Sequence, residues 1–314
     1  MPGANMSMSP SHDLAQRIAA NVAASLGARS RFDPAQHLRL TVDGQQVGWL
    51  PRRHAQTLRE LEGTEGIGFA VLGTEADDTV VLLPRIHGFD ARTAALATVA
   101  RRLAAHNLLR GWRDEAFAVT PALDHPALAT IERAAARYFG LLTFASHMNG
   151  IVAGQRALWI ARRSDSKAVD PGMWDNLVAG GMPHGSDPLA TLVRECDEES
   201  GIPPWLAAQA QAHGTVQVLR EIDEGVQWET VYLYDLELPA DFVPHNRDGE
   251  VAEHRRVGPD AALAIMADGA MTLDATLVTL CALRRRGWRR RYRASPTSAA
   301  ALYRAPYGAP YGAP

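Results

Sequence analysis

The sequence contains few cysteines, no long apolar run and little net charge. Two cysteines among 314 residues, Cys196 and Cys281, exclude a disulfide framework and a zinc–thiolate cluster, which indicates a reducing compartment. No apolar stretch is long enough to cross a bilayer, and the N-terminus lacks the apolar region of a secretory signal. A net charge of −3 provides no bulk attraction to nucleic acid or to an anionic membrane. We therefore expect a cytoplasmic protein without a membrane or nucleic-acid partner.

The composition is that of a folded protein, with 46% hydrophobic and 21% charged residues. A chain of this length can form two domains with sizeable cores. We interpret it as a disordered N-terminus (1–12), an α+β domain (13–140), a second domain (141–290) and a basic, low-complexity tail (291–314). The arginines of 284–293 are interpreted as a solvated helix end. A nucleic-acid patch with Trp288 and Tyr292 is the alternative, and no motif supports it.

Hydrophobic periodicity predicts the elements of the N-terminal domain. Helical spacing begins at Asp13 and continues through Leu14, Ile18, Val22 and Leu26. Two alternating runs joined at Asp43-Gly44 predict a hairpin over 38–50. We also predict strands over 79–84 and 114–120, and helices over 92–107 and 126–138. This domain contains no recognisable catalytic cluster.

The second domain alternates strands with helices. Strands are predicted over 144–153, 156–163, 174–181, 214–221, 226–238 and 250–257, and helices over 187–200, 259–267 and 273–286. Strands with helices on both sides of them predict a three-layer α/β/α sandwich.

One predicted helix contains the acidic stretch LVRECDEESGI (192–202). Its Glu195, Glu198 and Glu199 lie at i, i+3 and i+4, so the carboxylates converge on one side and repel one another. Carboxylates beside a Gly-Gly turn can bind a hard cation such as Mg²⁺ or Mn²⁺, and the bound cation offsets the repulsion.

Local signals define the ends and the buried face of the same helix. Asp187-Pro188 predicts an N-cap followed by proline at the first helical position, and Gly201 predicts the C-terminal cap. An apolar stripe is expected to face the sheet, formed by Leu189, Leu192, Val193 and Cys196.

This region resembles the signature of the Nudix hydrolase family, G-x5-E-x7-R-E-U-x-E-E-x-G-U, in which U is a bulky apolar residue. The matching residues are Gly180, Arg194, Glu195, Cys196, Glu198, Glu199, Gly201 and Ile202. Ser186 departs from the pattern, because it occupies the position of the loop glutamate, and it affects loop geometry more than metal binding. The resemblance implies the Nudix sandwich and a metal-dependent pyrophosphohydrolase.

The family mechanism implies a role for several residues. Glu195, Glu198 and Glu199 are expected to bind Mg²⁺ or Mn²⁺, and Arg194 is expected to orient their carboxylates. The metal neutralises the diphosphate while water attacks phosphorus, so no covalent nucleophile is needed and Cys196 is expected in the core. Glu250, or the nearby Glu253, fits the additional glutamate that assists as base or ligand in many Nudix proteins. A solvated loop carboxylate is the alternative for Glu250.

Further substrate contacts are predicted around the signature. Gly180, Gly181 and Asn176 are expected to line the site, although strand-end hydrogen bonding also accounts for Asn176 and the preceding Asp175. Lys167 is expected to meet a phosphate or to be an exposed loop lysine. Trp112, in GWRDE (111–115), is expected either to contact the substrate or to pack in the core. His147 is either a substrate contact or a satisfied buried histidine.

Stretches outside the signature resemble a Nudix subfamily with an N-terminal uncharacterised domain, related to Nudix proteins associated with thiamine pyrophosphokinases. They are LWIARRSDSKAVDPGMWDNLVAGGMPHG, YLYDLELPADFVPHNRDGEV and GWRDEAFAV. This resemblance, over 13–288, implies hydrolysis of thiamine diphosphate or its oxidised analogues to the monophosphate. The alternatives are a nucleotide-sugar or dinucleotide pyrophosphatase, such as one for ADP-ribose, and a nucleotide-binding module without turnover. A homodimer is compatible with this interpretation.

Overall fold

The computed structural model describes residues 17, 20 and 32–288. The residues that carry the predicted first helix, Leu14, Ile18, Val22 and Leu26, lie outside this range, as do the predicted N-terminal segment and tail. Among the residues that are described, no helix is long and apolar enough to span a bilayer.

The first part of the described chain contains a small mixed sheet packed against two helices. The elements are β1 (His37–Val42), β2 (Gln45–Pro51), α1 (Arg52–Glu65), β3 (Thr79–Val81) and α2 (Phe89–Ala105). The central strand β1 is antiparallel to β2 and parallel to β3. The predicted hairpin is confirmed, and Asp43 and Gly44 both have the positive φ that a tight two-residue turn requires. Leu38, Leu58 and Leu96 are fully buried in one continuous core.

The predicted helix over 126–138 is wrong in its first half. Strand β5 (Ala129–Glu132) instead pairs antiparallel with strand β4 (Ala116–Val119). Helix α3 (Arg133–Phe139) begins only after β5. Burial of Ala129 and Ile131 in this pairing outweighs their local helical preference. The helix ends at Gly140, which has the left-handed conformation and lies so close to the Trp49 carbonyl that a side chain would not fit.

Seven strands of the described chain form the second, larger sheet, in the order β10-β11-β6-β7-β12, with β9 paired to β6 and β8 paired to β7. The strands are β6 (Leu142–Val152), β7 (Leu158–Arg163), β8 (Trp174–Asn176), β9 (Val178–Gly181), β10 (Gln211–Ile222), β11 (Gly225–Leu238) and β12 (Val251–Val257). The helices are α4 (Pro188–Ser200), α5 (Pro204–Ala207), α6 (Pro259–Ala267) and α7 (Leu273–Arg285). Strands β6 and β11 are parallel, and the other pairs are antiparallel. The predicted single strand over 174–181 is wrong, because β8 pairs with β7 whereas β9, after Leu177, pairs with β6.

Helices α4 and α7 cover opposite faces of this sheet. On one face, the Cys196 sulfur of α4 lies 3.8 Å from the Met148 sulfur of β6. On the other face, Val278 of α7 packs with Ala145 of β6. Even and odd positions of a strand point to opposite faces, so these contacts establish three layers. The predicted α/β/α sandwich, preceded by an α+β unit, is confirmed.

Candidate active site

The acidic helix α4 begins and ends where its sequence predicts. The Asp187 carboxylate accepts a hydrogen bond from the Ala190 amide at 2.8 Å, and Gly201 ends the helix in the left-handed conformation. Ser186 contacts the first turn through the Thr191 hydroxyl at 2.8 Å. The expected apolar stripe is wrong at Leu189, which is 39% exposed.

The three predicted metal-binding carboxylates separate into two environments. Glu195 and Glu199 are buried against β9, whereas the Glu198 side chain is 41% exposed. Glu195 lies directly over Gly180, where any side chain would collide with its carboxylate. Glu199 accepts a hydrogen bond from the Ala179 amide at 2.9 Å. Gly180 is therefore required for the close approach of α4 to the sheet.

Burial alters the proton affinity of the two inner carboxylates. Burial and the nearby charge of Glu195 raise the pKa of Glu199 to about 8. Burial also raises the pKa of Glu195, although the Arg194 guanidinium opposes that shift. A divalent cation beside these groups would favour their ionised forms, so the donor set suits a hard cation.

Arg194 holds two of the predicted ligands. Its guanidinium donates to Glu195 Oε1 at 2.6 Å and to Glu198 Oε2 at 2.8 Å. Across residues 32–288, no three His, Cys, Asp or Glu side chains are arranged as a metal-binding cluster. In the structure Arg194 pairs with Glu198 on the exposed side of the helix, and metal binding by all three glutamates stays a prediction.

A cleft lies between the N-terminal unit and the sheet, with Gly180 and Gly181 in its wall. Seven basic side chains of the described residues line it, namely Arg110, Arg113, Arg133, Arg137, Arg163, Lys167 and Arg220. Gly181 brings β9 against the Phe117 ring, which would lie 2.9 Å from an added Cβ. The density of cations in one cleft favours a ligand with several negative charges.

Lys167 is the only lysine in the sequence, and its ammonium pairs with the Glu250 carboxylate. The side chain is 11% exposed, so it is not the exposed loop lysine of the alternative interpretation. Burial lowers the pKa of Lys167, while the charge of Glu199 opposes the shift. Lys167 is therefore paired with Glu250 and also influenced by the charge of Glu199.

Glu250 pairs with two cations that line the cleft, and its loop is bound to the end of α4. The Arg247 amide donates to the Glu198 carbonyl at 2.9 Å, and the His245 amide donates to the Ser200 carbonyl at 3.1 Å. The carboxylate of Glu250 also pairs with Arg113 at 2.9 Å. Two cations thus hold Glu250, whereas Glu253 pairs with Arg255 on the surface.

Two predicted substrate contacts are not brought to the cleft. Asn176 is 1% exposed, and its amide is fully engaged by Asn149, Thr279 and His147. Its role is to hold His147, which lines the cleft. Trp112 is 40% exposed and donates to Asp114 at 2.7 Å, so it neither packs in the core nor lines the cleft.

The same cleft contains a polar cluster that was not predicted from the sequence. The Gln227 amide donates to Glu229 and to Asp274, both at 2.9 Å, and the Thr143 hydroxyl donates to Glu229 at 3.1 Å. Burial and the charge of Glu229 raise the pKa of Asp274. The alternation of polar Gln227 and Glu229 within the strand predicted over 226–238 was the signal for this cluster.

Two family models match the chain, a domain of unknown function (DUF4743) over residues 17–143 and the NUDIX domain over residues 147–276. Nudix hydrolase 20, chloroplastic, from Arabidopsis thaliana is 40% identical over 222 residues, which is 69% of this chain and 59% of that protein. Nudix hydrolase 24, chloroplastic, from the same plant is 46% identical over 171 residues, which is 54% of this chain and 47% of that protein. The chain thus spans about half the length of these curated relatives. Among solved structures, the MutT protein from Methanosarcina mazei Go1 aligns with 46% of this chain and 95% of its own, at 16% identity and a TM-score of 0.37.

Proposed function

Because the chain carries a Nudix domain behind a DUF4743 domain, we propose that it is a metal-dependent hydrolase of a small molecule that contains a diphosphate. One observation carries the proposal. The buried carboxylates Glu195 and Glu199 lie beside a cleft that is lined by basic side chains. Carboxylates can bind a divalent cation and basic side chains can bind phosphate, so the two groups together suit a metal–diphosphate complex.

The cation would be held by Glu195, Glu198 and Glu199, whose oxygen donors suit Mg²⁺ or Mn²⁺. When bound, it supplies charge neutralisation of the diphosphate and an acidified water. Arg194 would orient the Glu195 and Glu198 carboxylates through its two hydrogen bonds. Binding requires Glu198 to exchange part of its contact with Arg194 for the cation.

The diphosphate would take Lys167 and Arg113 as partners in place of Glu250. Both cations line the cleft, and both pair with Glu250 in the structure. A phosphate that competes for them would release the Glu250 carboxylate, which could then accept a proton from the attacking water. By this exchange Glu250, which is paired with two cations in the structure, would become free to act as the expected base.

The organic half of the substrate would contact Glu229, Gln227 and Asp274. Gln227 donates to both carboxylates and accepts from Arg220 at 2.7 Å, so the cluster has only acceptor capacity left. Asp274 Oδ1 is buried and has no hydrogen-bond partner within the described residues. Such a cluster suits a ring that bears N–H donors or positive charge, as thiamine does.

The polar cluster and the Gly180 turn line the same cleft. One ligand in that cleft can therefore contact Glu229 and Asp274 with its organic half while its diphosphate lies near Gly180. This shared cleft supports thiamine diphosphate or its oxidised analogues as the substrate.

A substrate panel tests both levels of the proposal. The full chain would be incubated with Mg²⁺ or Mn²⁺ and thiamine diphosphate, oxidised thiamine diphosphate or ADP-ribose, and phosphate and the organic products would be identified. We expect metal-dependent release of thiamine monophosphate or its oxidised form. Absence of metal-dependent hydrolysis across the panel would overturn the hydrolase, and a preference for ADP-ribose would overturn only the substrate.

A further inference from the structure

A short segment of the N-terminal unit, residues 113–117, runs along the active site. Arg113 pairs with Glu250, and the Ala116 carbonyl accepts a hydrogen bond from the His184 amide at 2.7 Å. The Phe117 ring lies against Gly181. The segment therefore contacts the surroundings of α4 at three points, Glu250, His184 and Gly181.

Glu115 lies at the centre of this segment and faces the catalytic helix. Its Oε2 accepts from Arg133 at 2.7 Å, which fixes the side chain. Its Oε1 lies 3.9 Å from Nη2 of Arg194. The same nitrogen donates to Glu195 at 2.6 Å. One guanidinium nitrogen thus donates to Glu195 and forms a longer ion pair with Glu115 of the other domain.

We propose that Glu115 is a positioning residue, which competes with Glu195 for Arg194 and so sets how readily the carboxylates of α4 can bind a divalent cation. A guanidinium has a limited set of donors, and each carboxylate that it holds is less available to a cation. Glu115 draws part of the Arg194 charge toward the N-terminal unit. The DUF4743 domain thereby completes the active site.

Loss of the Glu115 charge should strengthen the contacts of Arg194 with Glu195 and Glu198. Cation affinity should then fall, because the cation must displace a more tightly held guanidinium. The consequence for catalysis rests on the proposed hydrolase function. Cation binding does not, so it can be measured whether or not a substrate is known.

A general charge effect must be separated from an effect through Arg194. Asp114 provides the matched control, since it precedes Glu115 and bonds to the Trp112 indole instead of to Arg194. Asp114→Asn removes the same charge from the same segment, and asparagine tolerates the positive φ of that position. Arg194→Gln removes the shared partner, and the 39% exposure of that side chain makes unfolding by this change unexpected.

The experiment measures Mn²⁺ binding to the full chain without substrate, by the electron paramagnetic resonance signal of free Mn²⁺. Glu115→Gln should weaken binding about fivefold or more, and Asp114→Asn should change it less than about twofold. In the Arg194→Gln background, Glu115→Gln should have no further effect. Glu115→Asp should restore much of the affinity, with melting temperatures confirming that all variants fold.

Three results would overturn the proposal. The first is an unchanged Mn²⁺ affinity in Glu115→Gln. The second is a loss of Mn²⁺ affinity in Asp114→Asn as large as that in Glu115→Gln. The third is that Glu115→Gln still lowers the Mn²⁺ affinity when Arg194 is already replaced by Gln. If the Mn²⁺ results follow the expectation but no substrate is hydrolysed, the positioning role stands and the hydrolase assignment fails. If hydrolysis is observed and the Mn²⁺ results do not follow, only the positioning role fails.

Discussion

The DUF4743 and Nudix domains differ in what they bury. The first has one continuous apolar core, whereas the apolar residues of the second fall into four separate clusters. Among the described residues, every buried Asp or Glu belongs to the second domain: Asp175, Glu195, Glu199, Glu229 and Asp235. Burial of a charge costs free energy unless a partner compensates it. The Nudix domain therefore depends on compensating partners for its buried carboxylates, as Arg163 provides for Asp175 and Arg285 for Asp235.

The largest expected effect tests whether the carboxylates of α4 account for activity. Glu198→Gln keeps the shape of the side chain and removes its charge, so turnover should fall about 10³-fold as cation binding is lost. The melting temperature should change little, because this side chain is half exposed. Metal-dependent phosphate release provides the measurement.

Asp197→Asn is the control on the same helix, since Asp197 pairs with Arg247 instead of facing the cleft. We expect near-normal turnover from this variant. Equal activity of Glu198→Gln and the unchanged protein, or full activity in excess chelator, would contradict the metal assignment.

The next prediction is that the stabilities of the two domains change with pH in opposite directions. In the N-terminal domain, burial lowers the pKa of His54 to about 4, whereas an unfolded histidine titrates near 6.5. The unfolded chain therefore gains a proton first, and the free energy of unfolding should fall by up to about 3 kcal/mol as pH decreases from 6.5 to 4. In His54→Gln this part of the pH dependence should be absent, as measured by urea unfolding.

Glu199 should produce the reverse slope in the Nudix domain. Its pKa is raised to about 8, so the folded state holds a proton that the unfolded chain releases above about 4.5. Without divalent cations, stability should fall as pH increases from 4.5 to 8, and Glu199→Gln should abolish this slope. If the free energy of unfolding of both domains changed with pH in the same direction, the predicted contrast between them would be wrong.

A smaller effect is expected at Lys167. Replacement by Gln removes a cation that lines the cleft, so KM for the diphosphate substrate should rise about tenfold, while Lys167→Arg should retain most binding. Because Lys167 is the only lysine, reductive methylation with labelled formaldehyde yields one side-chain NMR signal besides the N-terminus. That signal should shift when inorganic pyrophosphate is added. An unshifted signal together with an unchanged KM would exclude Lys167 from the phosphate site.

The smallest effect is expected for the C-terminal tail, which lies outside the described residues. Its composition offers little apolar surface, so deletion of residues 295–314 should leave turnover and melting temperature nearly unchanged. A large loss of either would show that the tail binds to one of the two domains. Cytoplasmic location and a homodimer also stay predictions.

The sequence by itself determined the features that depend on neighbours within a few residues. Helix α4 begins at the Asp187 cap and ends at Gly201, and the first hairpin turns at Asp43-Gly44, because caps and tight turns are local interactions. The signature on α4 identified the Nudix domain for the same reason, since its residues share one helix and the turn before it.

Only the tertiary structure decided which distant groups meet. Lys167 pairs with Glu250, 83 positions away, and Glu115 faces Arg194 across the two domains. Similarly, pairing with β4 converts residues 129–132 from a predicted helix to a strand, and side-chain contacts bury Asn176 away from the cleft. Such outcomes depend on how whole elements pack, and the free energy of that packing is not encoded in the residues on either side of each position.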